Sequence, residues 1–192
     1  MENRDIGQRQ VCCIPGDFKT RAEDGNEYIE GYFAVFGSDY NIGPGMSESI
    51  DRHAFDNALD DDIRALTNHD TRLVLGRSTA GTLELSPDEH GLFGRVLINP
   101  NDQDAVNTKA RVDRRDVTQA SFGFDILDEE TEYRDDGSIH WVIKSVKLYE
   151  VSVCTFPAYE ETNLQARAAQ RDELEKRKLE AWKNEQKERL KC

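Results

Sequence analysis

The chain has 192 residues, of which 37% are hydrophobic and 33% charged, so we expect one folded domain with an appendage that lies outside its core. Its net charge of −13 argues against a nucleic-acid-binding surface, because such a surface needs a basic patch. No apolar run approaches the roughly 20 residues of a membrane-spanning helix, and residues 1–10 lack the apolar segment of a signal peptide.

The four cysteines indicate a reduced, cytosolic protein. Cys12 and Cys13 are adjacent, whereas Cys154 and Cys192 stand alone, and none has C-x-x-C spacing. This arrangement predicts neither a disulfide framework nor a zinc site. The sequence predicts no cofactor and no metal ion.

The first third of the chain begins with residues 1–20, which we interpret as an N-terminal arm. Residues 28–36 are rich in β-branched and aromatic side chains and predict a strand. After a glycine-rich turn at residues 37–45, Asp51 can cap a short helix. This helix would place four apolar side chains on one face: Ala54, Phe55, Ala58 and Leu59.

The middle of the chain predicts further strands and one longer helix. Residues 62–70 and 73–77 are two strand patterns joined at or near His69, and residues 81–85 and 91–98 form a hairpin pattern. The helix begins after Asn101 or Asp102 and ends in basic residues, as the helix dipole favours: Lys109, Arg111, Arg114 and Arg115.

Strands dominate the remainder of the folded part, and a charged tail follows them. Residues 120–126, 140–143 and 146–156 are strand patterns, and Pro157 stops the last one. From about Asn163 onward nearly all residues are charged or helix-favouring, which predicts an exposed helical tail. Many short strands with two inserted helices indicate a mainly-β barrel or curled sheet.

Ser121 is a candidate nucleophile because of the strand that carries it. Alternation sends Phe122 and Phe124 to one face and Ser121 and Gly123 to the other, where the glycine would leave space above the hydroxyl. An ordinary half-buried serine fits the same pattern. A nucleophile also needs a base within hydrogen-bond reach and a third group that orients the base.

Four histidines could supply this base: His53, His69, His90 and His140. His69 is the best placed because it ends a strand pattern at a turn. Asp70 is a poor orienting group, since neighbours in a strand point to opposite faces. A metal site formed by His69, Asp70 and His90 has no recognised ligand spacing.

Glu150 is a better candidate for the orienting acid. It lies in an apolar strand, where a carboxylate must be paired if it is buried. Its partner could be an imidazolium or an arginine such as Arg77, and His140 is a rival orienting group. Cys154 is expected to be an inert core residue, because its strand offers no adjacent base.

Taken together, six blocks of the sequence resemble the prohead (procapsid) maturation proteases of tailed phages. This is a serine-protease family related in fold to herpesvirus assemblin. The similarity runs from about residue 28 to 160. The blocks, in chain order, are residues 31–36, 65–70, 75–77, 81–83, 121–124 and 148–159.

The resemblance implies a closed, herpesvirus-protease-like β-barrel at residues 21–160. Residues 161–192 would then be the charged helical tail that the composition predicts. The resemblance also implies a serine endopeptidase that cuts scaffold or the scaffolding arm of the major capsid protein, and often itself. Such an enzyme would work inside the assembling procapsid, in the host cytoplasm. His69 would be the base, Ser121 the nucleophile and Glu150 the acid.

A second interpretation is a non-catalytic module that binds capsid or scaffold protein during assembly. This module would not require His69, Ser121 and Glu150 to meet in space. Under either interpretation we expect a homo-oligomer with protein partners, and no direct contact with nucleic acid or membrane.

Overall fold

The computed structural model describes residues 10–156 and 161–189, and within them the chain is mainly β with two α-helices. The chain divides into two compact units, with the boundary between residues 159 and 160. The strands are β1 (Gln10–Pro15), β2 (Lys19–Glu23), β3 (Asn26–Val35), β4 (Tyr40–Gly43), β5 (Met46–Ile50), β6 (Arg64–Thr67), β7 (Asp70–Arg77), β8 (Leu83–Pro87), β9 (Gly91–Leu97), β10 (Gln119–Tyr133) and β11 (Ile139–Cys154). The helices are α1 (Gln103–Asp113) and α2 (Glu161–Arg189).

The strands form two sheets. The larger has seven strands in the order β1-β10-β11-β5-β4, with β6 also paired to β11 and β7 to β6. The smaller has four strands in the order β2-β3-β9-β8. The long antiparallel hairpin of β10 and β11 is the centre of the larger sheet, so its register sets the positions of the side chains on these two strands.

The predicted closed barrel is not found among the described strands. Closure requires a continuous hydrogen-bond ladder around the barrel. Here the chain passes from one sheet to the other at Gly16, where single backbone bonds replace a ladder. The Gly16 N–H donates to the Thr118 carbonyl (2.9 Å), and the Tyr32 N–H donates to the Gly16 carbonyl (3.0 Å).

Aromatic side chains from both sheets fill the core between them. The rings of Phe122 and Phe124 on β10 stack at 4.6 Å, and Phe55 meets Phe122 edge-on at 5.6 Å. Phe33 on β3 is fully buried as well. The apolar face predicted for the Ser121 strand is therefore a core face. The opposite face of β10, which carries Ser121, is not needed for this aromatic packing.

Two predictions about local structure have different outcomes. The helix predicted after Asp51 is wrong, because residues 52–60 form successive turns. Their backbone bonds span three residues rather than four, such as Ala54 N–H to the Asp51 carbonyl and Ala58 N–H to the Phe55 carbonyl. Helix α1 is confirmed with Asp102 as its N-cap, whose side chain accepts from two backbone N–H groups of the first turn.

The two ends of the chain also carry regular structure. The segment predicted as an arm, residues 1–20, contains β1 and the start of β2, and residues 1–9 lie outside the described residues. Helix α2 occupies most of the segment predicted as a charged tail, and Leu179 and Trp182 are exposed on it. Neither described helix is long and apolar enough to cross a membrane.

Candidate active site

His69 lies at the tip of the hairpin formed by β6 and β7, where the sequence predicted a turn. The two connecting residues, Asn68 and His69, have φ values of 52° and 59°. Two consecutive positive φ angles are typical of the type I′ turns that join two-residue hairpins. Asparagine and histidine are among the non-glycine residues that adopt this conformation most readily, so both residues fit the backbone of the turn.

The end of β11 holds this turn in place. β6 runs parallel to β11, with Thr67 opposite Val153. The Asn68 N–H donates to the Val153 carbonyl (3.0 Å), and the Asn68 side-chain oxygen accepts from the Thr155 N–H (2.8 Å). The imidazole of His69 is therefore carried by a turn that is fixed to the sheet at several points.

The imidazole of His69 is bonded to Glu150. Its Nδ1 lies 2.6 Å from Oε1 of Glu150, a side chain that is 2% exposed. A carboxylate can only accept, so Nδ1 carries the hydrogen, and in the neutral imidazole Nε2 keeps its lone pair. Glu150 thus pairs with an imidazole, while the alternative partner, Arg77, makes a two-point ion pair with Asp62 (2.7 Å).

Ser152 connects the acid to the turn, a role that the sequence did not suggest. Its hydroxyl donates to Oε2 of Glu150 (2.5 Å) and accepts from the backbone N–H of His69 (3.3 Å). The side chain is completely buried. One hydroxyl therefore holds both the second carboxylate oxygen and the backbone of the turn.

Ser121 lies on the same face of the sheet as this network. In the antiparallel ladder it is directly opposite Ser152, and Gly123 is opposite Glu150. Opposite residues in a ladder project to the same face. Space above Ser121 was predicted, but the residue is 0% exposed, and its Oγ has no hydrogen-bond partner within the described part of the chain.

Cys154 is closer to a base than its sequence position indicated. Its Sγ lies 3.7 Å from Nε2 of His69, although the two residues are 85 positions apart. The expectation that Cys154 has no adjacent base is therefore wrong. No pattern within its strand could show this contact, because the hairpin of β6 and β7 brings His69 to it.

The other predicted polar residues lie elsewhere. His53 is exposed and contacts Asp56, and the ring of His90 packs edge-on against Tyr32. The side chain of Asp70 bonds Arg72, which lowers the pKa of Asp70 to about 2. Across residues 10–156 and 161–189, no group of three or more acidic, histidine or cysteine side chains is arranged to hold a metal ion.

His140, the rival orienting group, is buried among residues of β5. Its Nδ1 lies 2.8 Å from the Ser47 hydroxyl and its Nε2 lies 2.9 Å from the Ser49 hydroxyl. Burial lowers the pKa of His140 below its usual 6.5, and the nearby carboxylate of Asp39 opposes this effect only in part. The fold therefore favours the neutral form of the ring.

This environment predicts a pH-dependent contribution of His140 to stability. Because its pKa is lowered in the folded chain, the unfolded chain binds the proton more readily. The contribution is thus fully present above pH 6.5 and is lost as the pH falls through 6.5 toward the lowered value. Urea unfolding between pH 8 and pH 5 should show a smaller loss of unfolding free energy for His140→Gln than for the wild type. Equal losses in the wild type and in His140→Gln would contradict the prediction.

The chain is similar in sequence and in fold to known proteins. The family model of the caudovirus prohead serine proteases matches residues 16–177. The prohead protease of Enterobacteria phage HK97 is 32% identical over 148 residues, which are 74% of this chain, and the chain spans 61% of that relative's length.

A solved structure of the bacteriophage T4 capsid assembly protease is similar in fold, with a TM-score of 0.50 at 12% identity. The similarity covers 79% of this chain and the whole of the T4 chain. The family match includes every residue of the network around His69, together with Ser121. The chain belongs to the caudovirus prohead serine protease family.

Proposed function

We propose that this protein is a serine endopeptidase in which Ser121 is the nucleophile, His69 the general base and Glu150 the orienting acid. The observation that carries the proposal is the 2.6 Å bond between His69 Nδ1 and Glu150, on the sheet face that also bears Ser121. A base whose Nδ1 is held by a buried carboxylate presents Nε2 to a nucleophile, which is the arrangement of a catalytic triad.

The reaction would proceed by acyl transfer. His69 Nε2 takes the proton of Ser121 as Oγ bonds to the carbonyl carbon of the peptide. The tetrahedral intermediate then collapses, the C–N bond breaks, and His69 returns the proton to the leaving amine. Water, deprotonated by the same nitrogen, then attacks the acyl-enzyme and releases the second product and Ser121.

The surroundings of Glu150 support this role. The positive charge that develops on His69 would lie next to a carboxylate that is shielded from water, where the attraction is stronger than at the surface. Ser152 bonds the second oxygen of that carboxylate and the backbone of His69, so it would act as a positioning residue. The Sγ atom of Cys154 lies 3.7 Å from Nε2 of His69, so the imidazole also contacts the sheet through Cys154.

We propose as substrates the scaffold or the scaffolding arm of the major capsid protein, and the chain itself. The names of the family and of the HK97 and T4 relatives, which concern proheads and capsid assembly, support this choice. The enzyme would then act inside the assembling procapsid, in the host cytoplasm. A relation in fold to herpesvirus assemblin and a homo-oligomeric state stay predictions.

Co-expression with the major capsid protein of the same phage tests the proposal. The wild type should shorten the capsid protein on a gel, whereas Ser121→Ala should leave it intact because the nucleophile is absent. Ser86→Ala, at an exposed serine of β8, is the matched control and should cleave like the wild type. Intact capsid protein in all three cultures, with particles still formed, would favour the non-catalytic assembly module.

Ser152→Ala should reduce kcat by about 10- to 100-fold, because a hydrogen bond to a charged group contributes about 1.5–3 kcal/mol. KM should change little, since Ser152 is buried and bonds Glu150 rather than peptide. Ser152→Thr keeps the hydroxyl and should recover most of the activity in a peptide-cleavage assay. Equal activity of the alanine and threonine variants would show that the hydroxyl has no positioning role.

A further inference from the structure

The strand that carries Ser121 has two edges, and β1 occupies the one that β11 does not. β1 pairs antiparallel with β10 over six positions, and Cys13 stands opposite Ser121. We propose that this edge of β10 is the docking edge for an extended peptide substrate, and that β1 is a built-in occupant that keeps the site closed. The inference rests on the proposed peptidase function.

An extended peptide commonly binds an enzyme or a binding module by adding a strand to a sheet edge, because the backbone then supplies most of the hydrogen bonds. The edge of β10 toward β11 is not available for such pairing. β11 pairs with β10 along almost its whole length, and it carries Glu150, which the proposed mechanism needs in place. A substrate can therefore pair next to Ser121 only where β1 lies.

The described conformation is a closed one. Ser121 is 0% exposed, and its Oγ has no hydrogen-bond partner among the residues that the structure describes. The Nε2 atom of His69 lies against Sγ of Cys154 at 3.7 Å. A peptide carbonyl cannot reach a fully buried hydroxyl, so catalysis requires that some part of the chain moves away from Ser121.

β1 is suited to move because the chain is fixed immediately after it. The Gly16 N–H donates to Thr118 and the Gly16 carbonyl accepts from Tyr32. A Cβ at Gly16 would lie 2.9 Å from that of Ala120, so the backbone is pressed against β10 there. The match to the family model begins at residue 16, immediately after β1.

The composition of β1 indicates the class of peptide that fits this edge. Residues 10–15 (QVCCIP) carry no charge, in a chain of which 33% of the residues are charged. Valine and isoleucine favour the extended conformation. The segment that pairs with this edge of β10 is therefore extended and uncharged, and it runs antiparallel to β10. In the closed state this segment is β1, and in the open state it is an extended, uncharged stretch of the substrate.

Proline substitutions in the full-length chain test the inference. Neighbouring N–H groups in a strand point to opposite sides, so replacing both Val11 and Cys12 by proline removes at least one bond to β10. The alanine pair at the same positions keeps both N–H groups and is the matched control. The readout is the rate at which a fluorophosphonate probe labels Ser121, followed by intact-protein mass spectrometry.

The proline variant should be labelled about tenfold faster or more, as expected if β1 is docked in at least about nine-tenths of the molecules. The alanine variant should be labelled at the wild-type rate. A synthetic peptide of residues 8–17 should slow labelling of the proline variant, whereas a scrambled peptide should not. Cleavage of the capsid protein should follow the same order.

Equal labelling of the wild type and a folded proline variant would overturn the inference and leave the peptidase function intact. If the proline variant loses its circular-dichroism signal, the labelling rate is measured instead on a variant that starts at Gly16. Faster labelling of this shorter chain supports the inference; its failure to fold would show that β1 is a structural strand and would overturn it. If folded variants neither label nor cleave, the proposed function itself is wrong.

Discussion

The hydrogen bond between His69 and Glu150 is the interaction on which the site depends. A buried carboxylate is unfavourable unless it is paired, and here the pairing partner lies 81 positions away in the sequence. The bond therefore ties the tip of the β6–β7 hairpin to the C-terminal part of β11. It also sets the tautomer of the imidazole, so one contact has both a structural and a chemical consequence.

The hairpin of β10 and β11 supplies the platform for this contact. One face of β10 buries Phe122 and Phe124 in the core, which fixes the strand. The other face presents Ser121 beside Ser152 and Glu150 of β11. Because the ladder sets these positions by register, a slip of one residue would turn Ser121 toward the core and separate it from the base.

Local patterns in the sequence predicted much of this architecture. The β-branched run of β3 and the cap at Asp102 are local signals, and both elements form where they were expected. Residues 52–60 carry a helical apolar spacing but form turns, since burial of Ala54 and Phe55 does not require a helix. The contacts of His69 with Ser152 and Cys154, and the burial of Ser121, depend on strand order and could not be predicted from local pattern.

Turnover of a peptide substrate by Glu150→Gln tests whether Glu150 orients the base. The amide keeps the size of the side chain but can donate a hydrogen to Nδ1, so the lone pair of His69 would no longer face the nucleophile. We expect a loss of kcat of about 10³- to 10⁴-fold in a variant that folds normally. Turnover within a few-fold of the wild type would show that Glu150 does not orient the base, and would contradict the proposed triad.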